Sequence, residues 1–248
     1  MDTGWLSRPH ADVPPGEEWL GENERRVSAH LKVAQRRADW RLGRWTAKAA
    51  LGLWLGLAPS RFEVLAAPDG APEAWLDGER VPVSVSLSHR GGRALAVVSE
   101  APGIVGCDLE LLEPRSGAFV REWLAPCEQR MIYSCGAAQR VLLANLFWAA
   151  KEACTKVRRQ GLALNVRRAV VTLAQARPEP GQWCPLRVSW SDGPRTTTSG
   201  WWRAEPGWVM VVAGEPAPGA PRQLCPPRLK ERIAVPSGGH AIGDQALD

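Results

Sequence analysis

Residues 105–110, VGCDLE, alternate apolar with small or acidic side chains and therefore predict a β-strand. Side chains two apart share one face of a strand, so Asp108 and Glu110 point in the same direction. Adjacent carboxylates repel each other, and they are costly to bury unless a cation lies between them. The spacing predicts either a solvated strand face or a site for a divalent cation.

Residues 147–156, FWAAKEACTK, predict a helix that carries Glu152 and Lys156 one turn apart on a common face. Alone, such a pair is typical of a surface salt bridge, which contributes about 0.3–0.5 kcal/mol. Combined with the acidic strand, it completes a set of three carboxylates for a hard cation and one ammonium for an anion. This combination favours a metal-assisted phosphoryl transferase.

The chain has 248 residues, and its 31 Lys and Arg against 26 Asp and Glu give a net charge of +5. This charge suits an acidic partner or substrate but is too small to predict nucleic-acid binding. The six cysteines include no pair two or three residues apart, so a zinc knuckle or redox dithiol is not predicted. We expect a cytoplasmic protein, because no signal pattern and no apolar run of membrane-spanning length is present.

Helices and strands follow one another in two rounds. The first round has a long helical stretch at 22–57, interrupted near Gly43, and then strands at 83–87, 93–99 and 103–112. The second round has helices at 118–123, 128–133 and 137–159, and then strands at 169–173, 186–190, 200–204 and 208–213. This order predicts an α+β protein of two similar lobes with the active site in the cleft between them.

The predicted domain organisation has four parts. These are an irregular N-terminal segment (1–19), an N-terminal lobe (20–102), a C-terminal lobe carrying the metal site (103–225) and a flexible tail (226–248). The tail from residue 236 onward has too little apolar content to pack by itself.

Three segments in order resemble one family. They are SLSH at 86–89, the acidic segment at 105–110, and WAAKEA at 148–153 followed by Lys156. Together they resemble the Sfp-type 4′-phosphopantetheinyl transferases, over roughly residues 20–225. The resemblance implies a pseudo-twofold fold and transfer of 4′-phosphopantetheine from coenzyme A (CoA) to a serine of an apo acyl or peptidyl carrier protein. The second product is 3′,5′-ADP.

The resemblance also implies roles for single residues. Asp108, Glu110 and Glu152 would hold Mg²⁺ against the CoA pyrophosphate, and Lys156 would contact the same phosphates. Glu152 would also accept the serine proton, directly or through water. A monomer that binds neither nucleic acid nor membrane is expected.

A second group of residues is expected to bind CoA. Ser88, His89 and Arg90 follow from the His motif, although a lone histidine is more often structural. Arg44 and Lys48 resemble a basic helix that holds the 3′-phosphate, and the alternative for Lys48 is an ordinary solvated helix charge.

One segment departs from the family pattern. Many relatives have Gly-Lys-Pro before the His motif, whereas this chain has Ala71 in place of the lysine, and Arg80 or Arg90 are candidates to supply the charge. Glu128, after Pro126, is expected to cap a helix rather than to act in catalysis.

Two other functions stay open. One is a different Mg²⁺-dependent phosphate enzyme, which the lack of a P-loop or Rossmann glycine fingerprint disfavours. The other is a non-catalytic protein that binds CoA or a carrier, which the presence of all three acidic residues disfavours. The sequence does not choose between carriers of fatty acid, polyketide and nonribosomal peptide synthesis.

Overall fold

The structure is a computed structural model that describes residues 1–159, 165–175, 179, 181–191 and 196–225. The predicted flexible tail, 226–248, lies outside these ranges. The helices are α1 (Glu22–His30), α2 (Ala34–Leu55), α3 (Gly117–Trp123), α4 (Pro126–Tyr133) and α5 (Ala137–Arg158). Within the described part of the chain, no helix is both long and apolar enough to cross a membrane.

The described strands form three sheets. The first-half strands are β1 (Thr3–Pro9), β2 (Phe62–Ala66), β3 (Pro72–Leu76), β4 (Glu79–Arg80), β5 (Val83–Arg90) and β6 (Arg93–Glu100). The second-half strands are β7 (Ile104–Leu111), β8 (Ala169–Leu173), β9 (Cys184–Trp190), β10 (Thr196–Glu205), β11 (Trp208–Glu215) and β12 (Arg222–Gln223).

The first lobe packs α2 on a sheet of order β12-β1-β6-β5, with the small sheet β2-β3-β4 beside it. The prediction of an irregular N-terminus is wrong, because β1 pairs with β6 along its whole length and buries Trp5 and Leu6. The helix interruption near Gly43 is also wrong. The break lies between α1 and α2, and Gly43 is buried within α2.

The second lobe packs α5 on a sheet of order β7-β11-β10-β9-β8. The two lobes repeat one arrangement, since β1-β6-β5 and β7-β11-β10 have the same order and the same antiparallel pairing. The predicted α+β fold of two similar lobes is confirmed.

A ladder of serine hydroxyls joins the two lobes. The backbone amides of Val105, Cys107 and Leu109 in β7 donate hydrogen bonds of 3.1, 2.9 and 3.2 Å. Their acceptors are the hydroxyl oxygens of Ser84, Ser86 and Ser88 in β5, respectively. Every second side chain of β5 faces β7, and every second amide of β7 faces β5, so each serine meets one amide. The free edge of β7 is therefore satisfied by side chains of the neighbouring lobe.

Gly106 allows α5 to lie directly against β7, because a Cβ at this position would overlap the Ala153 carbonyl oxygen. We predict that Gly106→Ala lowers the free energy of unfolding by about 1–3 kcal/mol, the usual cost of overpacking. Urea unfolding measures this loss. Gly136→Ala is the control, because no atom lies within 4 Å of a Cβ built there; it should cost under about 1 kcal/mol. Equal losses in the two variants would contradict the close-packing argument.

Candidate functional site

Asp108 lies in the middle of β7 and is 5% exposed. Its Oδ1 accepts a hydrogen bond of 2.8 Å from the Ser88 hydroxyl and one of 3.0 Å from the Lys156 ammonium. Its Oδ2 is buried and has no hydrogen-bond partner within the described ranges. One oxygen is thus fixed by both lobes, and the other remains available for a ligand.

Lys156 connects β5, β7 and α5. Besides Asp108, its ammonium donates to the carbonyl oxygens of Cys107 at 2.7 Å and Leu87 at 3.3 Å. An ammonium has three N–H donors, and these three acceptors match that number. Burial is the largest single influence on Lys156 and lowers its pKa, but the charge and hydrogen bond of Asp108 outweigh it together with other nearby groups, so the pKa of Lys156 is raised. Lys156 is therefore charged and holds Asp108, a contact that the sequence analysis did not predict.

Glu110 shares the face of Asp108 and is 8% exposed. Its Oε2 accepts from the Arg115 guanidinium at 2.7 Å, and Arg90 lies 3.8 Å away. Burial raises the pKa of Glu110, and the charge on Asp108 acts in the same direction.

The sequence analysis missed Arg115 and its support, Asn145. Arg115 Nε donates to Asn145 Oδ1 at 2.6 Å, and the Asn145 amide donates to the carbonyl oxygens of Glu113 and Val141, each at 2.8 Å. The available signal was a lone asparagine in the apolar run of α5, seven residues before Glu152 and hence on the same helix face.

Glu152 points toward the same group of acids from α5. Its Oε1 is buried and has no hydrogen-bond partner among the described residues. Burial raises the pKa of Glu152, and the charges on Asp108 and Glu110 raise it further, although Lys156 opposes them. The three predicted carboxylates are thus close enough to affect one another.

The carboxylates of this site offer oxygen ligands to a divalent cation. Within the described ranges, no three His, Cys, Asp or Glu side chains are already arranged as a metal site. However, Asp108 Oδ2 and Glu152 Oε1 are both buried carboxylate oxygens that receive no hydrogen bond from the residues that the structure describes. Carboxylate oxygens are the ligands that Mg²⁺ prefers, so the residues present fit such an ion chemically.

Positive charge lies on the first-lobe side of the site. The guanidinium of Arg44 stacks on Trp40 at 5.0 Å, and its Nε is buried without a hydrogen-bond partner in the described structure. Burial lowers the pKa of Arg44. His89, at the end of β5, lies beside Gly43 of α2; burial lowers the pKa of His89, and Lys156 and Arg44 act in the same direction. Arg44 thus supplies positive charge for an anion, and His89, whose lowered pKa favours the uncharged imidazole, can supply a hydrogen-bond donor.

Two of the predicted CoA-binding residues have other partners. Lys48 is fully buried and its ammonium contacts Glu24 at 2.6 Å, so the structure does not support a contact between Lys48 and a ligand. Helix spacing alone did not show that Lys48 lies on the buried face. Arg90 pairs with Glu113 and lies beside Glu110 rather than along the cavity described next. Glu128 caps α4 as predicted, by accepting from the Ala125 amide at 2.7 Å.

A cavity of about 880 Å³ opens between the lobes beside this site. Its charged wall includes Arg44, Glu152 and Lys156, and its apolar wall includes Val83 and Val85 of β5. The turn that contains Ala71 also lines it, as do Arg80 and Arg159. Of the two candidates for the missing lysine, Arg80 therefore lies at the cavity. It pairs there with Glu73 at 2.8 Å, while Arg159 binds Asp69 through two contacts of 2.7 and 2.8 Å.

The acidic strand β7, the helix α5 and the strands β8 and β9 lie within residues 104–194, which match one family model. This segment matches the 4′-phosphopantetheinyl transferase superfamily. The resemblance inferred from the motifs is therefore confirmed at superfamily level for the part of the chain that carries all three acids. Comparison with curated proteins gives no significant match.

Three solved structures are similar to part of the chain. A holo-(acyl-carrier-protein) synthase of Bacillus anthracis, in complex with CoA (3′,5′-ADP), is 27% identical over 39% of this chain and 92% of that one, with a TM-score of 0.34. The Helicobacter pylori holo-[acyl-carrier-protein] synthase, in complex with coenzyme A, is 19% identical over 40% of this chain and 99% of that one, with a TM-score of 0.32. The Thermotoga maritima holo-[acyl-carrier-protein] synthase is 25% identical over 50% of this chain and 74% of that one, with a TM-score of 0.33.

The crowding of acids gives a prediction for stability without divalent cations. Because the pKa of Glu152 is raised by folding, the folded state binds a proton more tightly than the unfolded state does. The stability contributed by this group is therefore lost as pH rises through the folded pKa. At pH 7, Glu152→Gln should raise Tm by about 2–4 °C, which corresponds to about 1 kcal/mol for a chain of this size.

This gain should disappear below about pH 4, where glutamates are protonated in both states. Thermal unfolding in EDTA across the pH range measures it. The control is Glu122→Gln, because Glu122 is exposed on α3. A gain that does not depend on pH would contradict the proposed crowding.

Proposed function

We propose that this protein transfers 4′-phosphopantetheine from CoA to a serine of an apo acyl or peptidyl carrier protein and releases 3′,5′-ADP. The observation that carries the proposal is the placement of Asp108, Glu110 and Glu152 beside a cavity whose wall also holds Arg44 and Lys156. The superfamily match covers the segment that contains the three acids.

In this proposal Asp108, Glu110 and Glu152 hold Mg²⁺. A bound Mg²⁺ would neutralise charge on the phosphoryl oxygens and on the leaving nucleotide. The chain prepares the ligands itself. Ser88 and Lys156 fix one oxygen of Asp108, and no described residue donates to the other. Arg115 fixes one oxygen of Glu110.

The CoA phosphates would lie against Arg44, His89 and Lys156. Arg44 has a buried N–H without a partner among the described residues, and a phosphate oxygen would satisfy it. Lys156 already uses three acceptors, and its contact with the Leu87 carbonyl is the longest at 3.3 Å. A phosphate oxygen would replace that contact first. Ser88 would act through Asp108, and Arg90 would reach CoA only by leaving Glu113.

Glu152 is the proposed acceptor of the serine proton, directly or through water. A general base works best when its pKa lies near the working pH, and burial beside Asp108 raises the pKa of Glu152 in that direction. The cleft between two lobes of one chain supplies both the acidic and the basic groups, which supports a monomeric enzyme. The six described cysteines are free thiols, which supports a cytoplasmic location.

The decisive experiment incubates the protein with CoA, Mg²⁺ and an apo carrier protein and measures the intact mass of the carrier. A gain of one phosphopantetheine is expected. Asp108→Asn keeps an acceptor for Ser88 and Lys156 but removes the charge. Loss of a contact that only supports a metal ligand costs roughly 10–100-fold. Asp108→Asn changes a proposed ligand itself, so it should slow transfer by more than that.

Asp2→Ala is the control for this variant, because Asp2 is exposed at the N-terminus. The transfer rate of this control should stay within about 2-fold of wild type, because a surface substitution usually changes a free energy by no more than about 0.5 kcal/mol. Near wild-type transfer by a folded Asp108→Asn protein would refute the metal assignment.

The proposed contact of Arg44 with the 3′-phosphate can be tested separately. Arg44→Ala should raise the KM for CoA by about 10-fold or more, because a hydrogen bond to a charged group contributes about 1.5–3 kcal/mol. The KM for 3′-dephospho-CoA should change much less. Arg36→Ala, on an exposed part of α2, is the matched control. An equal loss with both substrates would place Arg44 at another phosphate or outside the binding site.

A further inference from the structure

Each lobe contains a buried lysine–glutamate pair in the same place. In the first lobe, Lys48 Nζ of α2 lies 2.6 Å from Glu24 Oε2 of α1. In the second lobe, Lys151 Nζ of α5 lies 2.7 Å from Glu128 Oε2 of α4. The exposed fractions of these four side chains are 0–2%. The two pairs are thus sealed from solvent, and neither contacts the cavity directly.

The first pair ties three elements together. Lys48 also donates to the Trp19 carbonyl oxygen at 2.6 Å, just before α1. Glu24 accepts from the Gly21 amide at 3.1 Å, which caps α1, and from the Val64 amide of β2 at 2.9 Å. The position of α2 is thereby fixed against the start of α1 and against a strand.

The second pair repeats every one of these contacts. Lys151 donates to the Trp123 carbonyl oxygen at 3.2 Å. Glu128 accepts from the Ala125 amide at 2.7 Å and from the Val171 amide of β8 at 2.8 Å. The position of α5 is therefore fixed in the same manner as that of α2.

The sequence repeats around both pairs. A Trp-Leu dipeptide stands before each glutamate, and each lysine stands in a W-x-A-K-x-A segment. The equivalent residues are Trp19 and Trp123, Leu20 and Leu124, Glu24 and Glu128, Trp45 and Trp148, Ala47 and Ala150, Lys48 and Lys151, and Ala50 and Ala153. This repeat identifies equivalent positions in the two lobes.

The acidic groups of the site do not repeat. The strand β1 pairs with β6 in the same way as β7 pairs with β11, so residues of β1 and β7 can be matched by their partners. In this matching Leu6 is equivalent to Asp108, and Arg8 is equivalent to Glu110. Ala49 takes the place of Glu152. The buried pair is thus present in both lobes, although only one lobe has the carboxylates. Its role must be one that both lobes need.

Stability alone is a weak explanation for these pairs, because removing two charges from water offsets most of their attraction. Burial is the largest influence on the pKa values of Lys48 and Lys151 and lowers both. What a buried pair does supply is register: an apolar helix face can shift and repack, whereas a displaced lysine would leave two buried charges unpaired.

We propose that Lys48–Glu24 and Lys151–Glu128 are positioning pairs, each of which fixes the helix that presents a ligand-binding group. Arg44 stands one turn before Lys48 on α2, and Glu152 follows Lys151 directly on α5. This inference rests on the proposed function for its two ligands, CoA at Arg44 and a divalent cation at Glu152. It assigns Lys48 and Lys151 a role through Arg44 and Glu152 rather than contact with substrate.

Two variants, Lys48→Met and Lys151→Met, test the inference on the full chain. Calorimetry measures CoA affinity in EDTA, and electron paramagnetic resonance measures Mn²⁺ affinity without CoA. Lys48→Met should weaken CoA binding by about 10-fold or more and leave Mn²⁺ affinity within about 2-fold. Lys151→Met should do the reverse, since loss of a supporting contact costs roughly 10–100-fold in metal affinity.

Lys32→Met is the matched control, because Lys32 is exposed between α1 and α2; it should change neither affinity. If a Met variant does not fold, Glu24→Gln or Glu128→Gln replaces it, since glutamine keeps one acceptor for the strand amide. The inference would be overturned if each variant weakened CoA affinity and Mn²⁺ affinity equally, or changed neither. In that case binding of both ligands by the wild-type protein would still support the proposed function. A wild-type protein that binds neither CoA nor Mn²⁺ would overturn both.

Discussion

The serine ladder between β5 and β7 is the interaction on which the site depends. An edge strand carries amides that must be satisfied, and here hydroxyls of the other lobe satisfy them at every second residue. The same hydroxyl of Ser88 also donates to Asp108, so the contact that joins the lobes orients a proposed metal ligand. Any separation of the two strands would release the first carboxylate of the site.

Electrostatics across the cleft follow from this geometry. The second lobe supplies three carboxylates, and the first lobe supplies Arg44 and His89. Lys156 lies between them and bonds carbonyl oxygens of both β5 and β7. Because the acids are buried and close, a cation would relieve their repulsion. Because one N–H of Arg44 has no partner in the described part of the chain, an anion would relieve its desolvation.

The sequence was sufficient for features that depend on periodicity. The alternation at 105–110 placed Asp108 and Glu110 on one face, and helix spacing placed Glu152 on α5. Periodicity was insufficient where tertiary pairing decides. The segment of β1 is short and ends at Pro9, yet β6 gives it a partner for every residue. Gly43 stays helical because a glycine within a helix costs only about 1 kcal/mol, which packing offsets.

The misassignment of Lys48 has a related cause. A helical lysine is usually solvated, and its burial becomes visible only with the partner Glu24, which lies 24 residues earlier in the chain. The support of Glu110 by Arg115 and Asn145 was missed for the same reason. The asparagine is 30 residues from the arginine that it holds, and no local pattern connects them.

The position of β12 has a consequence for how the chain is made. The first lobe consists almost entirely of the first hundred residues, but the outer edge of β1 is covered by Arg222 and Gln223. A ribosome delivers those residues only after the whole second lobe has been synthesised. During synthesis the outer edge of β1 therefore stays unpaired with β12 until Arg222 and Gln223 have emerged. A cut between β6 and β7 would therefore leave the outer edge of β1 uncovered in the first lobe.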